Sequence, residues 1–95
     1  MTTVLLTGFE PFAADPTNPS GDAVRLVAGG WDGAARLVTD VLPVTFAGAA
    51  ARLDELIERH CPDIVISTGL AGGRDAVTPE RVAINLQDAR IPDND

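Results

Sequence analysis

The sequence is poor in three features that would narrow its class at once: it has a single cysteine, Cys61, no run of Lys or Arg, and no long apolar stretch. One thiol cannot close an intrachain disulfide, so nothing points to an oxidising compartment. Seven basic residues stand against fourteen acidic ones, and the formal charge of −7 is concentrated nowhere as positive charge. Nucleic-acid and anionic-membrane partners both need a cationic footprint, and neither is expected. Met1-Thr2-Thr3-Val4-Leu5-Leu6 has no basic leader, and its apolar run is too short for a signal peptide or a membrane span. A cytosolic location is the simplest expectation. No internal repeat or low-complexity segment is visible.

What is present reads as an ordinary folded chain. Ninety-five residues, 45% of them hydrophobic and 22% charged, are too apolar for intrinsic disorder and long enough for one small core. Val4-Leu5-Leu6-Thr7 is a short apolar run closed by Gly8, and three prolines keep the segment from Pro11 to Pro19 out of helix. The pattern predicts a buried strand leading into a long loop. Ser20 is placed to cap a helix over residues 21–28, with Gly29-Gly30 as its stop. Residues 35–44 read as a second strand, one face of which is made wetter by Asp40.

Phe46, Ala49, Ala50, Leu53, Leu56 and Ile57 recur at three- and four-residue spacing, with charges elsewhere and Glu55 and Arg59 at i,i+4. This predicts a second helix, ended by Pro62. Asp63-Ile64-Val65-Ile66-Ser67-Thr68 is a compact apolar strand closed by Gly69, and residues 81–86 suggest a last strand after Pro79. Strands alternating with helices indicate βαβ units and a mainly parallel sheet. The end of the sequence, from Ala89 to Asp95, is polar and unperiodic, as if the chain stopped within a loop.

In open α/β sheets, ligands gather beyond the carboxyl ends of the strands. Here those ends are Gly8-Phe9-Glu10-Pro11-Phe12 and Gly69-Leu70-Ala71-Gly72-Gly73-Arg74, which should be neighbours. Phe9 and Phe12 suit either core packing or a small, flat, mostly apolar ligand. The glycine cluster invites a phosphate cradle with Arg74 as counter-charge, but it matches neither G-x-G-x-x-G nor G-x-x-x-x-G-K-[ST], and a tight turn that needs permissive dihedrals accounts for it better. His60 and Cys61 are adjacent on a helix and point in different directions, so they cannot form an activated thiol pair. The reading for His60 is a helix C-terminus and for Cys61 a buried small hydrophobe. One His and one Cys make no metal site. Glu80, on spacing alone, is a solvated carboxylate paired with Arg74 or Arg81.

Taken together, Thr7-Gly8-Phe9-Glu10-Pro11-Phe12, Asn18-Pro19-Ser20, Leu42-Pro43-Val44, the 69–74 segment, Glu80-Arg81-Val82-Ala83-Ile84-Asn85 and Asp88-Ala89-Arg90-Ile91-Pro92-Asp93-Asn94 resemble the successive motifs of the pyroglutamyl-peptidase I (pyrrolidone-carboxylate peptidase) family. They occur in the family's order along essentially the whole chain. The resemblance implies a three-layer α/β/α sandwich around a mainly parallel sheet, with residues 1–95 as the N-terminal part of one truncated domain. It also implies a cytosolic homotetramer that needs no metal or organic cofactor and hydrolytically removes N-terminal pyroglutamate from peptides through a Cys-His-Glu triad.

Glu80 matches the triad glutamate, which orients and stabilises the histidine that deprotonates the thiol. Phe9 and Phe12 match the aromatic walls around the pyrrolidone ring, and Asn18 and Ile91 match further pocket positions. Arg74 falls in a family segment lining the site and carries no definite role. Two departures stand out: Ala13-Ala14 replaces a glycine pair usual after Phe12, and Leu70 stands where many members carry glutamine. Family members run well beyond position 95, and their nucleophilic cysteine and basic histidine lie there; Cys61 and His60 do not match them. The chain alone is therefore expected to be inactive. A non-catalytic module that binds pyroglutamyl ends, and a small anion- or nucleotide-binding α/β protein, are the alternatives.

Overall fold

The computed structural model describes residues 1–94 and contains three strands and two helices in the order β1 (Thr3–Phe9), α1 (Pro19–Gly30), β2 (Arg36–Leu42), α2 (Phe46–His60) and β3 (Ile64–Ser67). All pairings are parallel and the strand order is β2-β1-β3. β1 is thus the central strand, aligned from Thr3 opposite Arg36 to Phe9 opposite Leu42, and from Val4 opposite Ile64 to Thr7 opposite Ser67.

Because side chains alternate across a strand, the two faces of β1 meet different helices. Leu5 and Phe9 join Val38 and Leu42 in a cluster with Ala49, Leu53 and Leu56 of α2. On the other face Gly8 meets α1, where a Cβ on Gly8 would stand 2.5 Å from the Ser20 carbonyl oxygen. Reciprocally, a Cβ on Gly21 would lie 2.6 Å from the carbonyl oxygen of Phe9. Two glycines therefore let the end of β1 and the first turn of α1 approach backbone to backbone. The expected α/β/α layering around a parallel sheet is formed.

Several local expectations are corrected. Asn18, not Ser20, caps α1: its Oδ1 accepts the Ser20 amide at 3.0 Å, and its carbonyl accepts Asp22 N–H at 3.2 Å. Pro19 takes the first helical position, where its missing N–H costs nothing and its fixed φ suits the helix. Gly29 and Gly30 form the last turn instead of stopping it, and Trp31 is the extended cap. Glu55 pairs with Arg52 at 3.0 Å, not with Arg59, and Arg52 also binds Asp40 of β2 at 2.6 Å. Those hydrogen bonds, Asp40's first and Glu55's next, hold the Arg52 guanidinium above its ordinary pKa.

α2 opens on Thr45, whose Oγ1 accepts Gly48 N–H at 2.8 Å, and closes on Cys61 in the left-handed region (φ 46°), with its N–H on the Ile57 carbonyl. His60 does lie in the last turn, but Cys61 is exposed. The left-handed cap turns the chain away from the helix at Cys61, and with its side chain exposed the buried-hydrophobe reading of Cys61 fails. Residues 81–86 form no strand, and Val82, Ile84 and Leu86 are exposed. Alternating apolar side chains give only half of a strand; the ladder needs a neighbour, and among the described residues none pairs there. Among the described residues β3 is paired on one edge only, and Ile64, Val65 and Ile66 are each more than 40% exposed.

Candidate functional site

At the carboxyl end of β1 the chain leaves the sheet through a loop fastened on three sides. The Phe9 amide donates to Ser20 Oγ at 3.0 Å, and the Glu10 amide donates to the Leu42 carbonyl at 3.0 Å. The Glu10 carbonyl accepts Asn18 Nδ2 at 3.1 Å, while its carboxylate accepts the Val44 amide at 3.3 Å. Beyond Phe12 the loop turns back, with Asp15 N–H on the Phe12 carbonyl at 3.1 Å and Ala13 at φ 53°. Phe9 and Phe12 are thereby held half-buried at the mouth of the sheet.

Two adjoining cavities use these rings as a shared wall, together with Val44. The first, about 480 Å³, is completed by Phe46 and Ala49 of α2 and by Ile91. The second, about 430 Å³, is completed by Asn18, Gly69 and Leu70. A Cβ on Gly69 would rest 3.8 Å from the Phe9 ring, so the two strand-end loops are neighbours as expected. The surface is dominated by rings and aliphatic groups, which is suited to a flat, weakly polar ligand of a few heavy atoms.

The five predicted site residues are placed unequally. Phe9 and Phe12 line both cavities, Ile91 lines the first, and Asn18 lines the second. Asn18 is 6% exposed and its amide is already engaged: Oδ1 accepts from both Ser20 N–H and Ser20 O–H, and Nδ2 donates to Glu10. Glu80 lines neither cavity. Its exposed carboxylate accepts Arg74 Nη1 at 2.7 Å, and the same guanidinium nitrogen donates to Thr78 Oγ1 at 2.8 Å.

Residues that the sequence argument passed over complete the first cavity. In the sequence Val44 belongs to a motif without a role of its own, and Phe46 to the start of a helical stripe. Asp93 and Asn94 bring the end of the described chain across the opening. Asp93 Oδ2 accepts the Phe46 amide at 2.8 Å, a carboxylate at the positive end of α2. Asn94 bonds to Pro11, Ala13 and Val44. The adjacency of Phe46 to the cap Thr45 was the one signal that could have placed it near a loop.

Other chemistry is absent from this end of the molecule. His60 and Cys61 close α2 while Phe46 opens it, and a 15-residue helix separates its ends by about 20 Å. No helix follows the 69–73 glycines among the described residues, so the amide array a phosphate cradle needs is missing there. Among the described residues no three His, Cys, Asp or Glu side chains gather into a metal-binding group, and no helix is long and apolar enough to cross a membrane.

With this geometry in hand, comparison with known proteins gives a consistent result. The pattern that defines the family described as "Pyroglutamyl peptidase" matches residues 2–95. The pyrrolidone-carboxylate peptidase of Bacillus velezensis is 52% identical over 92 residues, covering 97% of this chain and 43% of that protein. Among solved structures, pyroglutamyl peptidase I of Bacillus amyloliquefaciens superposes with a TM-score of 0.89 at 50% identity, covering 99% of this chain and 46% of that one. The pyrrolidone carboxyl peptidase of Fervidobacterium islandicum AW-1 superposes with a TM-score of 0.94 at 39% identity, covering 99% and 45%. The chain spans less than half the length of these relatives.

Proposed function

We propose, from the premise that this chain belongs to the pyroglutamyl peptidase family, that it forms the pyroglutamate-holding half of a cysteine omega peptidase. The observation that carries this reading is the convergence of Phe9, Phe12 and Ile91 on one apolar cavity beyond β1. A pyrrolidone ring is flat and uncharged, so stacking between rings buries it without stranding a charge. An ordinary peptide amino terminus would bring an ammonium group into the same dry surroundings, and exclusion of that charge supplies the specificity.

In the reaction so proposed, a thiolate attacks the carbonyl carbon joining the pyroglutamyl ring to the next residue. The carbon–sulfur bond forms, the carbon–nitrogen bond breaks, and a histidine passes its proton to the departing amine; water then hydrolyses the acyl-enzyme. Cys61 and His60 are at the wrong end of α2 for either role, so both groups come from polypeptide outside this chain. Glu80 is the proposed orienting carboxylate, and a histidine brought to it would compete with Arg74 for its oxygens. Asn18 acts here through the loop it fastens. The whole enzyme is proposed to work in the cytosol as a homo-oligomer on peptides with N-terminal pyroglutamate, without metal or organic cofactor.

A chromogenic pyroglutamyl amide, offered to the 95-residue chain and to a longer product of the same gene, tests this. Turnover is expected from the longer product only; equal rates from the two would refute it. A second reading, a pyroglutamyl-binding module, is favoured by one observation: Glu80, the proposed orienting carboxylate, lines neither cavity. It predicts saturable binding of a pyroglutamyl peptide by the 95-residue chain with no turnover by any longer product.

A further inference from the structure

Among the described residues Ala13 is one of two non-glycine residues at positive φ, and it follows directly on a wall of the cavity. In the left-handed region a Cβ crowds the backbone, so an alanine stays there only if its surroundings hold it. The group that holds it comes from 81 positions away. Asn94 Oδ1 accepts the Ala13 amide at 3.0 Å, and Asn94 Nδ2 donates to the Pro11 carbonyl at 3.1 Å. One side-chain amide therefore grips the residue before Phe12 and the residue after it. The Asn94 backbone amide also donates to the Val44 carbonyl at 2.9 Å.

Asn94 thus joins the Phe12 loop to Val44, another wall of the same cavity, and lies three residues from Ile91, a third. We infer that Asn94 is the positioning residue for Phe12, setting the width of the lactam-binding cleft. The inference rests on the proposed function for the meaning of that cleft, but not for the position of the ring. An asparagine is required because the two ends of the clamp have opposite polarity. Aspartate keeps the acceptor for Ala13 and loses the donor for Pro11, and alanine loses both.

The test uses the 95-residue chain, with Asn94→Ala and Asn94→Asp read by NMR and by titration with 2-pyrrolidone. Without ligand, Asn94→Ala is expected to shift the Phe12 ring signals and speed exchange of the Ala13 amide, with Asn94→Asp intermediate. The Leu5 and Leu56 methyl signals, deep in the core, stay in place. Affinity for 2-pyrrolidone falls in the same order, by about tenfold for alanine, the loss expected when a neutral two-point clamp opens. Unmoved Phe12 signals in Asn94→Ala overturn the inference, as does a shifted ring with unchanged affinity. Loss of the core signals in both variants also overturns it, since Asn94 would then support the whole fold. If the unmodified chain binds no 2-pyrrolidone while the ring still shifts, the lactam reading of the cleft falls and the positioning of Phe12 stands.

Discussion

Replacing Asn18 by alanine removes a residue that serves α1 and the pocket loop at once, and the cost can be built from its bonds. The cap itself, Oδ1 to the Ser20 amide, is worth about 1 kcal/mol in comparable helices. Truncation also takes Nδ2 from the Glu10 carbonyl and Oδ1 from the Ser20 hydroxyl at a position only 6% exposed. Acceptors and donors left unmet in such surroundings cost about 1–3 kcal/mol, and the half-buried Glu10 places this one at the lower end. The total is about 2–3 kcal/mol. With a urea dependence of about 1–3 kcal/mol per molar for a small domain, the unfolding midpoint falls by about 1 M or more. Asn18→Ser separates the two contributions, because a serine oxygen still caps α1 but cannot reach Glu10; about 1 kcal/mol should be lost. Far-UV circular dichroism against urea reads all three proteins. An alanine variant with the unmodified midpoint, or a serine variant as damaged as the alanine one, would refute the assignment of Asn18 as a double fastener.

Gly8→Ala should lose about 1–3 kcal/mol of stability in a thermal melt, since its Cβ would stand 2.5 Å from a backbone oxygen that no rotamer change can move, whereas Gly69→Ala, facing a ring at 3.8 Å, should melt as the unmodified chain does. Arg52→Gln should lower the urea midpoint by the same amount at every pH from about 6 to 9: a cation whose pKa is raised on folding stabilises at all pH below its unfolded value and loses that only as pH climbs through the folded one, far above this window. A difference that changes with pH inside the window contradicts that assignment. Ile66→Lys on β3 should reduce self-association measured by light scattering, because a charge on an exposed apolar edge strand opposes pairing with another chain; unchanged scattering would show that association runs through another surface.

The parts legible in the sequence were those where one local rule governs. The apolar run at Val4 to Leu6, the periodic stripe from Phe46 to Ile57 and the run at Ile64 to Ile66 each announce an element, and the structure forms all three. The α1 cap was misplaced because Pro19 was treated as a breaker, although proline is tolerated at a first helical position and so pushes the cap back to Asn18. Residues 81–86 failed for a different reason. Their alternation is genuine, but pairing is a property of two segments, and a single-segment pattern contains no statement about the partner. The cavity was half legible: Phe9, Phe12, Asn18 and Ile91 came from motif matching, while Val44 and Phe46 enter it only because parallel pairing sets Leu42 beside Phe9. Asn94 could not be given a role from sequence at all, since its side-chain partners are more than 80 positions away.

The middle place of β1 in the sheet also bears on how the molecule is made. Its first neighbour, β2, is synthesised before α2 and β3, with α1 already made and Gly8 and Gly21 ready to interlock. The nascent chain can therefore close a βαβ unit while α2 is still in the exit tunnel, and β3 later docks on an edge kept open for it. Translation order and spatial order disagree here, the third strand being added on the far side of the first. That edge stays open for the whole time it takes to synthesise residues 43–63, so slow codons in that interval would lengthen the exposure of Leu6 and Thr7 to unwanted pairing.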